Sequence, residues 1–113
     1  MSEQHPVGVT YDFSGTVSIV TGSGGGIGQA YAEAIAAAGG AVVVADIDAD
    51  RAEAVADSIR ATGASALGVR VDVADPASAQ AMADAAIAEF GGIDHLVNNA
   101  AIFGGMQLDA LVS

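Results

Sequence analysis

Five glycines in seven residues, Gly22, Gly24, Gly25, Gly26 and Gly28, stand between a β-branched run and an alanine-rich stretch of helical composition. Glycines in a strand-to-helix turn let the backbone approach a ligand closely, and the N–H groups of the first helical turn then serve as donors to an anion. A pyrophosphate suits such a turn. Two familiar glycine loops are excluded by spacing. G-x-G-x-x-G fails because its last position falls on Ile27 or Gln29, and the P-loop fails because the chain contains no lysine. Three further polar positions close later apolar runs: Asp46, Asp72 and the pair Asn98-Asn99. Asp46 lies 18 residues beyond Gly28, near the ~20-residue offset at which a carboxylate reaches an adenosine ribose 2′-hydroxyl.

Composition removes other chemistries. The 113 residues carry a formal charge of −11, with three Arg, no Lys and no Cys. Such a chain repels phosphate backbones and anionic lipid, so neither nucleic acid nor a membrane surface is an expected partner. Thiolate nucleophiles, disulfides and Cys-ligated metals are excluded, as are Schiff-base lysines, and His5 and His95 are too few to build a metal site. The opening residues lack a basic start followed by an apolar stretch, and no segment approaches the ~20 apolar residues of a membrane span, which predicts a cytoplasmic protein.

The elements that must position these residues are legible in the pattern. Residues 1–13 read as a poorly ordered leader, and residues 14–113 as one domain. Strands are predicted over Thr16 to Val20, Ala41 to Ala45, Ala66 to Val71 and Ile93 to Asn98. Helices are predicted from Gly26 to Ala38, from an Asp50/Glu53 capping box to Gly63, and from Asp75-Pro76 to Phe90. The alternation β-α-β-α-β-α-β implies a doubly wound parallel sheet with helices on both faces. With 26 alanines and only 4% aromatic residues, its core must be built from small and β-branched side chains. Ligands of such sheets bind beyond the carboxyl ends of the strands, where all the residues above fall.

Thr21-Gly22-x-x-x-Gly26-Ile27-Gly28 resembles the glycine motif of the short-chain dehydrogenase/reductase family. Asn98-Asn99-Ala100-Ala101 resembles that family's N-N-A-G segment, with Ala101 where glycine is usual. The resemblance covers about Ser14 to Ala101. It implies a Rossmann-like sheet of order 3-2-1-4 for the part present, and a nicotinamide dinucleotide cofactor. It also assigns the adenine contact to Asp72 and to the backbone of Val73. The cofactor-binding set expected is Gly22, Ser23, Gly26, Ile27, Gly28, Asp46, Ile47, Asp72, Val73, Asn99, Ala100 and Ala101. Asp46 favours NAD over NADP, because a carboxylate accepts ribose hydroxyls and repels a 2′-phosphate, and Ser23, Gly24, Gly25 and Ile47 offer no basic side chain.

In the resembled family a Ser orients the substrate, a Tyr acts as acid/base and a Lys lowers its pKa, all beyond the fourth strand. Here neither Tyr11 nor Tyr31 has a lysine four places on. No catalytic residue is therefore assigned, and the chain is expected to be the cofactor-binding half of a longer oxidoreductase, inactive by itself and homo-oligomeric when complete. The substrate is a small molecule the sequence does not identify. Two alternatives share the glycines: an S-adenosylmethionine-dependent methyltransferase-like domain, since Gly22-x-Gly24-x-Gly26 fits its turn, and a non-catalytic nucleotide-binding module. The first would have to do without its own strand-four motif. His95 and Tyr31 read as sheet and surface residues.

Overall fold

A computed structural model describes residues 12–99. Its elements run β1 (Val17–Thr21), α1 (Gly26–Ala37), β2 (Ala41–Asp46), α2 (Ala49–Arg60), β3 (Ala66–Arg70), α3 (Pro76–Phe90) and β4 (His95–Val97). The strands form one sheet of order β3-β2-β1-β4, every pair parallel. This is the predicted order of a Rossmann-like sheet, and each carboxyl end faces the same edge.

Central position explains the composition of β2. Val42, Val43, Val44 and Ala45 are all buried, since helices cover both faces. Val20, Val42 and Val44 point toward α1 and α2, where they meet Ala32, Ile35, Ala36, Ala52, Val55, Ala56 and Ile59. Ile19, Val43 and Ala45 point the other way and pack with Val71, Met82 and Ala86. The positions 52, 55, 56 and 59 make one stripe of α2, the i, i+3, i+4, i+7 spacing of a single buried face. Alanine is what allows α1 and α2 to sit this close to the sheet.

Helix boundaries follow local chemistry. Asp75 accepts from the Ala77 N–H at 3.0 Å, with Pro76 at the first helical position, as predicted. At the other end Gly91 takes φ +88°, and its N–H closes onto Ile87 O. The start of α2 corrects the sequence reading. Asp48, not Asp50, is the N-cap, accepting from Asp50 N at 3.0 Å and Arg51 N at 3.2 Å. Glu53 is not part of a capping box but pairs with Arg60 at 2.6 Å. The helix begins as soon as β2 ends, so the first carboxylate able to cap it does so.

Two other expectations change in detail. β4 is shorter than the predicted Ile93 to Asn98, because only Ser18, Ile19 and Val20 of β1 lie opposite it. Asp94 instead extends the junction from outside the strand, its Oδ2 accepting from Val17 N at 2.8 Å. Phe13, assigned to the leader, packs against the α1/α2 core, and its N–H bonds Ala38 O at 2.9 Å. His95 is exposed and meets the Phe13 ring edge-on, and Tyr31 is half exposed on α1.

Candidate functional site

The glycine turn leaves β1 at the carboxyl edge of the sheet, and its shape is held from beneath. Ser23 is fully buried. Its Oγ donates to Val20 O at 2.6 Å and accepts from Ala45 N at 3.1 Å, while its own N–H bonds Ala45 O at 3.0 Å. The hydroxyl of Ser23, a member of the expected cofactor-binding set, is therefore turned inward and spent on joining the turn to β2. Gly28 sits where α1 crosses closest to that turn. A Cβ there would stand 2.3 Å from Gly22 O and 2.7 Å from Asn99 Nδ2, so no side chain fits. Asn99, at the end of the β4 segment, is buried and its Nδ2 donates to Gly22 O at 3.1 Å. Thr21 adds a second tie, its hydroxyl donating to Val97 O at 3.3 Å.

Above this support the turn is open. Gly26, the first residue of α1, has φ +58° and nothing within 4 Å of its Cβ position. Ile27 is 55% exposed beside it. Helix α1 has no side-chain cap and no acidic residue in its first turn, unlike α2 and α3, whose caps are Asp48 and Asp75. The first-turn N–H groups of α1 are thus left with their partial positive charge facing solvent.

Asp46 closes β2 beside the same turn. Its Oδ1 accepts from Gly24 N at 3.2 Å and its Oδ2 from Asp48 N at 3.0 Å. Each carboxylate oxygen keeps a lone pair free, so the group is oriented but can still accept hydroxyls. Ile47, next along, is 56% exposed. On the third connection Asp72 and Val73 are half-buried, Asp72 Oδ1 accepts from Ala74 N at 3.0 Å, and Asp72 N donates to Ser78 Oγ at 2.9 Å. The structure thus gathers Gly22, Gly26, Ile27, Gly28, Asp46, Ile47, Asp72, Val73 and Asn99 along one sheet edge. Ala100 and Ala101 lie outside the described residues.

One side chain escaped sequence reading. Arg51, in the first turn of α2, reaches back over the glycine turn, and its Nε donates to Gly24 O at 3.3 Å. The available signal was that a helix starting directly after β2 must carry its first turn past the loop that leaves β1. Elsewhere, a concavity of about 860 Å³ opens at the amino end of the sheet, lined by Gly15, Thr16, Gly39, Ser58 and Thr62 among others. It is remote from the carboxyl edge. Among the described residues no cluster of three or more His, Cys, Asp or Glu side chains could hold a metal ion, and no helix is long and apolar enough to cross a membrane.

Comparison with known proteins agrees with this geometry. The short chain dehydrogenase family profile matches residues 16–112. An uncharacterized oxidoreductase of Mycobacterium tuberculosis is 60% identical over 101 residues, covering 89% of this chain and 41% of its own length. D-threitol dehydrogenase of Mycolicibacterium smegmatis is 43% identical over 104 residues, covering 90% and 40%. Among solved structures, a hydroxysteroid dehydrogenase from Escherichia coli superposes with a TM-score of 0.75 at 42% identity, over 77% of this chain and 37% of that one. A short chain dehydrogenase/reductase from Burkholderia phymatum, solved in complex with NAD, gives a TM-score of 0.73 at 42% identity, over 77% and 31%. The chain spans about two-fifths of the length of these two curated relatives.

Proposed function

The chain belongs to the short-chain dehydrogenase family, and from that premise we propose that its carboxyl edge binds the adenosine and pyrophosphate parts of NAD(H) for an oxidoreductase acting on a carbonyl/alcohol pair. The observation that carries the reading is the pairing of an uncapped α1 N-terminus with the oriented Asp46 carboxylate across one glycine turn. The residues fit the group. Open space over Gly26 admits a phosphate to the first-turn N–H groups, and Gly28 keeps that turn close to the sheet.

When bound, the nicotinamide supplies or accepts the hydride. The chain's own work is binding and orientation. First-turn amides of α1 hold the pyrophosphate, Asp46 accepts the ribose hydroxyls, Ile27 and Ile47 offer apolar surface at the cleft, and Asp72 with the Val73 backbone takes the adenine edge. Asn99 keeps the turn in shape by satisfying Gly22 O. None of these groups is a proton donor of the kind carbonyl reduction requires. In this reading the acid/base and the substrate contacts of the longer oxidoreductase come from residues outside 12–99.

Titration of the purified protein with NADH, NADPH and S-adenosylmethionine, followed by NADH fluorescence and calorimetry, tests the reading. NADH is expected to bind at least tenfold more tightly than NADPH, since a 2′-phosphate beside Asp46 meets like charge. Tighter binding of S-adenosylmethionine would transfer the site to the methyltransferase class. Equal binding of the two nicotinamide cofactors would remove Asp46 from its selective role.

A further inference from the structure

The third connection carries the residues assigned above to adenine, and Asp72 is held there from three sides. Its carboxylate Oδ1 accepts from Ala74 N at 3.0 Å, its carbonyl accepts from Asp75 N at 3.0 Å, and its own N–H donates to Ser78 Oγ at 2.9 Å. Among the described residues Asp72 Oδ2 and the Val73 N–H make no hydrogen bond. Successive residues thus leave one acceptor and one donor unspent, the pattern complementary to the amino group and ring nitrogen of a 6-aminopurine. A 6-oxopurine presents the reverse, a carbonyl beside a ring N–H.

Of the three ties, the one from Ser78 reaches furthest. Ser78 is the third residue of α3, behind the Asp75 cap and Pro76. A polar side chain at that position ordinarily turns back to the N–H of the cap residue. Here the Asp75 N–H is taken by Asp72 O, and Ser78 Oγ reaches six residues back to Asp72 N. Ala74 lies within the loop and Asp75 at its junction with the helix, so Ser78 is the tie that comes from inside the helix. One turn further on, Met82 and then Ala86 anchor α3 to the sheet. The loop is therefore fastened to an element whose place the core sets, and groups held in place before binding lose less freedom when a ligand arrives. We propose that Ser78 is a positioning residue for the nucleobase. Acting through Asp72, it fixes the free carboxylate oxygen and the Val73 N–H in register with a 6-aminopurine, and so sets the choice of that base over a 6-oxopurine. This rests on the dinucleotide reading above.

The test uses two probes that differ only in the base edge, adenosine 5′-monophosphate (5′-AMP) and inosine 5′-monophosphate (5′-IMP). They are titrated calorimetrically into the wild-type protein, S78A, S78T and Q80G. Gln80 is exposed on the same helix and bonds only Asp84, so Q80G weakens α3 without touching the loop. The wild type is expected to prefer 5′-AMP by about tenfold, the worth of one hydrogen-bond mismatch. S78A is expected to lose about fivefold in 5′-AMP affinity with 5′-IMP affinity held within about twofold, which collapses the ratio. S78T, which keeps the hydroxyl, should restore it, and Q80G should keep it while lowering the urea midpoint. Equal losses for both nucleotides in S78A overturn the positioning role, as does a ratio that falls as far in Q80G or in S78T. Equal affinity of the wild type for the two nucleotides overturns this assignment and leaves the dinucleotide reading standing. Failure of the wild type to bind 5′-AMP at all overturns that reading, and this assignment with it.

Discussion

The first and third strand-to-helix connections both leave the carboxyl edge of the sheet, yet they are built in opposite ways. The first, from Thr21 to Gly26, is tied to distant segments, Ser23 to Ala45 and Gly22 O to the Asn99 amide, with Gly28 packed close against Gly22 O. The third, from Val71 to Asp75, is shaped largely by local polar contacts: Asp72 on Ala74 N, Asp75 on Ala77 N, and Ser78 Oγ receiving the Asp72 N–H. The difference teaches that the first connection cannot be altered without disturbing the fold, whereas the third can.

Substitutions at each connection sharpen that contrast. The largest effect is expected from Gly28→Ala, whose methyl would be driven onto Gly22 O and Asn99 Nδ2. Overpacking of this severity should cost about 3 kcal/mol or more in urea unfolding and abolish nucleotide binding along with stability. Next is Ser23→Ala, which leaves the buried Ala45 N–H without its acceptor. A loss of about 1–3 kcal/mol is expected, read as a lower urea midpoint at unchanged slope. Smallest in stability is Asp72→Ala, which removes only the exposed turn bond to Ala74 N. Unfolding free energy should fall by about 0.5 kcal/mol, while 5′-AMP affinity drops about tenfold. Equal stability losses at Ser23 and Asp72 would break the contrast.

Much of this architecture was readable because it rests on short-range rules. The order of elements, the Asp75-Pro76 helix start and the glycine turn each follow from neighbours a few residues apart, while the 3-2-1-4 strand order follows from the family resemblance. What escaped depends on chain segments meeting in space. Ser23 belongs to the expected cofactor-binding set, but its hydroxyl is claimed by Ala45, 22 residues away. The choice of Asp48 over Asp50 as cap is decided by where β2 stops, and in the sequence Asp46, Asp48 and Asp50 alternate at equal spacing across that junction. Arg51 belongs to a helix whose surface character looks ordinary until that helix lies beside the turn. Asp94, which falls within the predicted fourth strand, stands just before the observed one and ties the start of β1.

β4 joins β1 through only three register pairs, supplemented by Asp94 on Val17 and Asn99 on Gly22, contacts that each bridge 77 residues of chain. Closing a loop of that length carries a larger entropic penalty than forming the β1-α1-β2 or β2-α2-β3 units. The β4 segment is therefore expected to dock last as the protein folds and to open first in native-state hydrogen exchange. Because Asn99 travels with it, the glycine turn acquires its final shape in the closing step of folding, and a chain with only its first three strands in place would hold the glycine motif without that geometry.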